Sequence, residues 1–303
     1  MNTRLDGMAQ LAHMGVIRAQ GEDAASFLQG QLTQDFALLD TSQARLAGYC
    51  SAKGRMLASF IGFKTAPTEI LLVCSRDLLA ATLKRLSMYV LRAKVKLSDA
   101  SAEFMLRGLV GEAASALIDP SLAAWSRIES GAASVVQLYP ALGQQRALWI
   151  APLGEREPAA PQVSAELWQW SEVRSGIATI TLPIMESFVP QMLNYESVGG
   201  VNFKKGCYPG QEVVARSQFR GTLKRRAYLV HCEQPLAAGQ EVFHSLDEGQ
   251  PCGIVAQSAA APSGGFDAVV SMQTSAAESG SLRLATGEGL RLLELPYPLL
   301  ADI

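Results

Sequence analysis

The most informative stretch of this sequence is Lys204-Lys205-Gly206-Cys207-Tyr208-Pro209-Gly210-Gln211-Glu212. Its glycines accept positive φ and its proline presets φ, so the stretch predicts a tight turn. Such a turn would present Cys207 at its bend, where the ammonium groups of Lys204 and Lys205 would favour the nucleophilic thiolate. Gln211 and Glu212 add an amide and a carboxylate, which can pair with the edge of a nitrogen heterocycle. Taken alone, the same pattern also fits an ordinary surface turn with a buried, inert cysteine.

The stretch continues through Val213-Val214-Ala215 to Arg216, and this longer run resembles the signature of the YgfZ folate-binding family. That family is a branch of the glycine-cleavage T-protein (aminomethyltransferase) superfamily. Further runs resemble motifs of the same family in the same order: Gln29-Gly30-Gln31-Leu32-Thr33-Gln34-Asp35, Arg174-Ser175-Gly176-Ile177, Phe188-Val189-Pro190-Gln191-Met192-Leu193-Asn194 and Arg220-Gly221-Thr222-Leu223-Lys224-Arg225-Arg226. The resemblance therefore covers nearly the whole chain, with one departure at Ala178, where the family often has proline.

The composition is that of an ordinary globular protein, since 49% of the 303 residues are hydrophobic and 18% are charged. The net charge of −2 argues against a dedicated nucleic-acid binder, which normally carries a basic excess. No apolar run approaches the roughly 20 residues that cross a bilayer, and the first residues lack the apolar core of a signal peptide. We therefore expect a cytoplasmic protein without membrane segments.

The cysteines, at positions 50, 74, 207, 232 and 252, are far apart and form no C-x-x-C pair. This spacing excludes a zinc or iron–sulfur cradle built from one segment, and in a reducing cytosol the thiols should be free. The three histidines, His13, His231 and His244, show no ligand spacing either. We therefore predict no metal site.

Hydrophobic patterns predict an α+β fold. Residues 56–64 and 69–74 alternate or run apolar, which predicts a β-hairpin. The next segment carries the apolar stripe of an amphipathic helix, formed by Leu79, Leu83, Leu86 and Val90. From about Thr222 onward, short apolar strands at regular spacing predict a small closed β-domain.

The family resemblance implies how these parts are arranged. It implies two T-protein-like α+β lobes around a central folate channel, followed by a C-terminal β-barrel. We expect the folate-binding region at residues 1–222, with an inserted lobe at about 36–100, and the barrel at residues 223–303.

The cofactor that the resemblance implies is a reduced folate, either tetrahydrofolate or a one-carbon derivative. Its pterin edge needs amide or carboxylate partners, its rings need an apolar slot, and its glutamate tail needs cations. The candidates for the pterin edge are Gln191, Asn194, Gln211 and Glu212, to which the family-like polar loop adds Gln31 and Asp35. The candidates for the ring slot are Phe188, Met192 and Tyr208, and those for the tail are Arg216, Arg225 and Arg226.

T-proteins carry a catalytic aspartate on the strand after the Gly54 turn, whereas residues 55–65 of this chain contain no carboxylate. Methylene transfer requires proton management at the folate nitrogens, so this difference counts against aminomethyltransferase activity. The chain instead offers Cys207 as a reactive thiol, with Lys205 as the second candidate catalytic residue. Whether the protein catalyses a reaction stays open at this point.

The function that the resemblance implies is a folate-binding factor for the assembly or repair of iron–sulfur clusters in client enzymes. Those clients include radical enzymes that thiolate tRNA, which gives an indirect link to tRNA modification. One thiol cannot hold a cluster alone, so a partner would supply the remaining ligands. Two alternatives are a tetrahydrofolate-dependent aminomethyltransferase of one-carbon metabolism and an RNA-binding adaptor that uses the basic run 216–226.

Overall fold

Three β-sheets organise the chain, which a computed structural model describes over residues 5–219 and 223–300. The strands of the first two sheets are β1 (Gly7–Gln10), β2 (Met14–Gln20), β3 (Ala44–Cys50), β4 (Met56–Ala66), β5 (Glu69–Ser75), β6 (Lys96–Asp99), β7 (Phe104–Val110), β8 (Arg127–Ser130), β9 (Ala133–Ala141) and β10 (Gln144–Pro152). Those of the third sheet are β11 (Arg225–Cys232), β12 (Glu241–His244), β13 (Asp247–Ala260), β14 (Phe266–Gln273), β15 (Leu282–Arg283) and β16 (Gly289–Leu293). The helices are α1 (Ala24–Gln29), α2 (Arg76–Ser87), α3 (Glu112–Ser115), α4 (Ala165–Arg174), α5 (Gln211–Phe219) and α6 (Thr274–Ser279), with short 3-10 helices at Leu182–Ile184 and Pro190–Leu193.

The first two sheets form two lobes whose strands interleave along the sequence. The first sheet has the order β1-β7-β10-β9-β8, and the second has the order β3-β4-β5-β2-β6. The predicted hairpin is confirmed, because β4 and β5 pair antiparallel from Ile61 opposite Val73 to Ala66 opposite Glu69. Since β2 lies between β5 and β6, the second sheet includes residues that precede the expected lobe boundary at residue 36.

Helix α2 covers one face of the second sheet. It buries Leu79 and Leu86 in the core of the second lobe, as its apolar stripe predicts. Ser75 precedes the helix, and its hydroxyl donates a hydrogen bond to the Asp77 carboxylate at 2.6 Å. Asp77 lies in the first turn, where its negative charge complements the helix dipole.

The C-terminal strands form a closed barrel, as predicted, in the order β11-β14-β13-β12-β15-β16. Val230 and Val270 fill the barrel interior, whereas their neighbours Leu229 and Val269 face the lobes and join the main core. This alternation follows from the two-residue period of a strand. The expected domain boundary at residue 222 falls in residues 220–222, which lie outside the described residues.

Helix α4 connects the barrel to the lobes. Ser164 caps the start of α4, since its hydroxyl oxygen accepts a hydrogen bond from the Leu167 amide at 3.2 Å. The buried Trp170 indole donates to Asp267 of β14 at 2.8 Å, and Arg174 forms an ion pair with the same carboxylate at 3.2 Å. Neither α4 nor any other helix in the described part of the chain is long and apolar enough to cross a membrane.

Candidate functional site

The turn that carries the signature cysteine lies at the surface and leads directly into helix α5. Cys207 is exposed, whereas Cys50, Cys74, Cys232 and Cys252 are buried. Burial raises the pKa of the Cys50 and Cys74 thiols to about 12. The expectation that the turn presents its cysteine to solvent is therefore confirmed. All five thiols lie in the described residues, and Cys207 alone among them is accessible.

Lys205 anchors this turn from the inside. Its side chain is buried, and its ammonium group donates hydrogen bonds to the Leu32 carbonyl at 2.6 Å and to the Gln29 carbonyl. The Nζ atom also lies 4.6 Å from the centre of the Tyr208 ring, within the range of a cation–π contact. Burial lowers the pKa of Lys205 to about 8, against the opposing effect of Asp35 and of the neighbouring thiol. Lys205 thus joins the cysteine turn to the polar loop after α1.

Two glycines allow the cysteine turn to touch the turn that precedes β4. Gly54 and Gly210 have φ angles of +72° and +80°. A Cβ atom on Gly210 would lie 2.4 Å from the Ser51 carbonyl oxygen, and a Cβ atom on Gly54 would lie 2.9 Å from the Val213 side chain. Both the backbone angle and the close approach therefore require glycine at these positions.

The polar loop after α1 supplies two of the predicted residues, Gln31 and Asp35. Asp35 is buried, and its carboxylate accepts a hydrogen bond from the Leu38 amide at 3.0 Å. The side-chain oxygen of Gln31 is buried and has no hydrogen-bond partner among the described residues. A buried acceptor without a partner is destabilising, so this oxygen is an unsatisfied polar group of the loop.

Gln191 and Asn194 lie in and directly after the 3-10 helix Pro190–Leu193, and both are fully buried. The Gln191 amide donates to the Val214 carbonyl of α5 at 2.7 Å. The Asn194 side chain donates to the Ala227 carbonyl at 2.8 Å and accepts from the Ala227 amide at 3.1 Å. These bonds tie the segment to α5 and β11. The Gln191 oxygen has no partner in the part of the chain that the structure describes.

Three further candidates lie at the start of α5 and on its surface. Gln211 is half-buried at the first helical position. Glu212 and Arg216 are exposed and form an ion pair at 2.9 Å, one helical turn apart. An exposed pair with this spacing contributes only about 0.3–0.5 kcal/mol. Both side chains can therefore exchange this contact for one with a partner.

Arg225 and Arg226 of β11, two of the candidates for binding the glutamate tail, lie in different environments. Successive residues of a strand face opposite sides. Arg226 is buried and forms an ion pair with Glu196 at 2.8 Å. Burial raises the pKa of Glu196, against the effect of this guanidinium. Arg225 instead donates to the Cys252 carbonyl at 3.0 Å and lines a cleft together with Phe188.

A narrow cavity of about 60 Å³ lies between the two lobes and is lined by residues of both sheets. Glu172 of α4 is the one carboxylate among the described residues on its wall, and it lies 3.2 Å from Nε2 of His13. Burial lowers the pKa of His13, but the hydrogen bond and the charge of Glu172 outweigh burial and leave this pKa raised. Arg146 also lines the cavity, 4.5 Å from the Trp168 ring, and burial lowers its pKa to about 10.

None of the residues predicted to bind folate lines this cavity. Its polar residues that sequence reasoning missed are Ser59, Tyr139, Arg146, Glu172, Ser175, Thr179 and Tyr195. The sequence feature that could have identified one of these residues is the position of Glu172, two residues before the family-like run that begins at Arg174. A carboxylate beside the buried residues of α4 indicates a polar site at the helix surface that faces the core.

Two wider clefts adjoin the narrow cavity. One cleft, of about 590 Å³, shares Glu172 and Thr179 with it. The other, of about 510 Å³, shares Leu138 and Tyr139, and there the Tyr139 ring meets the Tyr297 ring edge-on at 5.6 Å. Both clefts fall within the range of roughly 300–1,000 Å³ that small-molecule sites occupy. The narrow cavity is therefore flanked by two spaces of ligand size.

Comparison with known proteins identifies the fold. The GCVT N-terminal domain model matches residues 4–134. The glycine cleavage system aminomethyltransferase T from Bartonella henselae superimposes with a TM-score of 0.69 at 19% identity, over 98% of this chain and 87% of that one. The protein is therefore a mixed helix and strand protein of the T-protein fold with a C-terminal β-barrel.

Sequence relatives then define the family. The tRNA-modifying protein YgfZ of Colwellia psychrerythraea is 30% identical over 254 residues, which are 80% of this chain and 77% of that protein. The tRNA-modifying protein YgfZ of Edwardsiella ictaluri is 34% identical over 230 residues, which are 70% of this chain and 67% of that protein. The chain belongs to the YgfZ family, as its signature at residues 204–216 predicts.

Proposed function

We propose that this protein is a cytoplasmic folate-binding factor that supports the assembly or repair of iron–sulfur clusters in client enzymes. The observation that carries the proposal is the exposure of a single thiol, Cys207, on a turn that Lys205 and two glycines hold in place. The name of the relatives, tRNA-modifying protein, supports clients that thiolate tRNA.

A reduced folate, either tetrahydrofolate or a one-carbon derivative, fits the chemistry of the space between the lobes. The narrow cavity is too small for the whole ligand, but the two clefts beside it are of suitable size. Glu172 can accept N–H donors of a pterin edge, and Tyr139 and Tyr297 offer aromatic surface to a planar ring. A bound reduced folate would carry one-carbon units. The unpartnered oxygens of Gln31 and Gln191 remain candidate acceptors.

Cys207 would act together with a partner molecule. An iron–sulfur cluster is held by several thiolates, and this turn supplies one. In the part of the chain that the structure describes, no three His, Cys, Asp or Glu side chains lie together so as to hold a metal ion. A client enzyme or a small thiol would therefore provide the other ligands.

The two alternative functions are less well supported. An aminomethyltransferase would need an acid on β4, where residues 55–65 carry none, and 19% identity to the T-protein concerns the fold alone. An RNA-binding adaptor would need an exposed basic run, but Arg226 is buried in an ion pair and Arg225 is half-buried. Arg220, within that run, lies outside the described residues.

The test expresses Cys207→Ala in a strain from which the gene for this protein has been deleted. The matched control is Cys252→Ala, whose wild-type thiol is buried in the barrel. We expect Cys252→Ala to restore the activity of iron–sulfur client enzymes and Cys207→Ala to fail. Calorimetry with tetrahydrofolate should show equal affinity for both cysteine variants and about tenfold weaker binding for Glu172→Gln. Full rescue by Cys207→Ala would remove the thiol from the mechanism. A purified wild-type protein that binds no tetrahydrofolate would refute the folate part.

A further inference from the structure

A separate cleft of about 240 Å³ lies where the barrel meets the lobes. We call it the junction cleft, and its walls include Arg55, Phe188, Met192, Arg225 and Ser271. Two of its lining residues are arginines, and none of the described lining residues is an aspartate or a glutamate. The cleft is therefore positively charged and has apolar walls beside its cations.

The strand pattern explains why a cation and a hydroxyl of the barrel point into this cleft. On β14, Val270 and Met272 fill the barrel interior, so Ser271 between them faces the lobes. On β11, Ala227 joins the core shared with the lobes, and Arg225, two residues before it, lies on the same side. The barrel thus contributes both groups by the ordinary alternation of its strands.

The polar groups of the junction cleft are incompletely satisfied by the protein. Arg55 donates to the Ser187 carbonyl, and Arg225 donates to the Cys252 carbonyl at 3.0 Å. Neither guanidinium forms an ion pair with a carboxylate among the described residues, although each carries further N–H donors. The Ser271 hydroxyl is buried and has no hydrogen-bond partner in residues 5–219 and 223–300.

We propose that the junction cleft is an oxyanion-binding site that takes one carboxylate or phosphoryl group. Arginine pairs with both groups through parallel N–H···O bonds, and an acceptor oxygen would also satisfy the Ser271 hydroxyl. Because a water occupies about 30 Å³, the volume admits one such group together with a few waters.

The position of Arg55 gives the site a connection to the cysteine turn. Arg55 follows Gly54, and Gly54 packs against Gly210 and Val213 at the start of α5. An anion held between Arg55 and Arg225 would therefore join the barrel to the turn that presents the thiol. The anion has two chemical sources: the carboxylate tail of a polyglutamyl folate, or inorganic phosphate and phosphate esters. The phosphate source does not depend on the proposed folate site.

The test measures inorganic phosphate binding to the full-length protein by calorimetry at constant ionic strength. We expect Arg55→Gln and Arg225→Gln each to weaken binding by about tenfold or more, and the exposed control Arg291→Gln to leave it unchanged. Arg55→Lys and Arg225→Lys retain the charge and should retain part of the affinity. Ser271→Ala should weaken phosphate binding and, by removing an unpartnered buried hydroxyl, raise the melting temperature without phosphate.

A second set of measurements distinguishes the sources. If the tail of a folate is the anion, tetrahydrofolate triglutamate should bind the wild type more tightly than the monoglutamate, and Arg55→Gln and Arg225→Gln should lose this difference. Either anion bound in this way supports the site. If neither phosphate nor the triglutamate distinguishes these two variants from Arg291→Gln, the inference is wrong. If the wild type binds phosphate but does not bind tetrahydrofolate monoglutamate, the folate proposal alone is contradicted. The anion site would then still be supported by the phosphate measurement.

Discussion

Thiol reactivity tests how the fold presents Cys207. With a mild alkylating reagent at about pH 8, we expect Cys207 to be labelled to completion before any other cysteine reacts. Burial raises the pKa of Cys50 and Cys74 to about 12, so at this pH about one part in ten thousand of each is the reactive thiolate. Ionisation alone therefore slows these two thiols by about three orders of magnitude relative to an exposed thiol. The need for local opening slows them further.

The assay is a time course with iodoacetamide, quenched and mapped by peptide mass spectrometry. The wild type should gain one label quickly, and Cys207→Ser should gain none over the same period while it unfolds at the same urea concentration. Labelling led by Cys74 or Cys252 would refute the assignment of Cys207 as the thiol that the fold presents. Equal labelling of all five thiols would show that the reagent reports global unfolding instead.

Three further predictions concern the contacts around the site. Arg226→Ala should destabilise the protein by about 3–5 kcal/mol in urea unfolding, because it leaves the buried Glu196 without its cation; an unchanged midpoint would contradict the ion pair. Gly210→Ala should cost about 1–3 kcal/mol, because its Cβ would meet a carbonyl oxygen at 2.4 Å, whereas Gly206→Ala, with no atom within 4 Å, should be nearly neutral. The pKa of His13 is raised on folding, so its ion pair stabilises fully below about pH 6.5 and is lost as pH rises through the raised value. Melting temperatures of wild type and His13→Gln should therefore converge as pH increases, and a constant difference would count against this linkage.

Most of the regular structure could be predicted from local sequence. The elements that were not predicted, helix α5 and strand β8, were missed for physical reasons. The β4–β5 hairpin, helix α2 and the barrel follow from clear periods of two or 3.6 residues. Helix α5 was missed because it buries only Val214 and Gln218, so no apolar stripe is visible. Strand β8 was missed because it is four residues long and mixes polar with apolar positions.

In the candidate site too, features set by neighbouring residues could be predicted, whereas features that depend on residues distant in sequence could not. Local turn chemistry sufficed to predict that Cys207 is exposed, because glycine and proline act over a few residues. The environments of Gln191 and Asn194 could not be predicted, since their partners lie on α5 and β11, far away in sequence. The cavity residue Glu172 was invisible for the same reason: the space it faces forms only when two sheets and a helix come together.

The distribution of these contacts bears on how mutations in the signature should be interpreted. Lys205 and Gly210 hold the turn through backbone contacts, so a variant at either position can abolish function without touching a ligand. Glu172 and Cys207 allow a cleaner separation, because one lines the central cavity and the other does not.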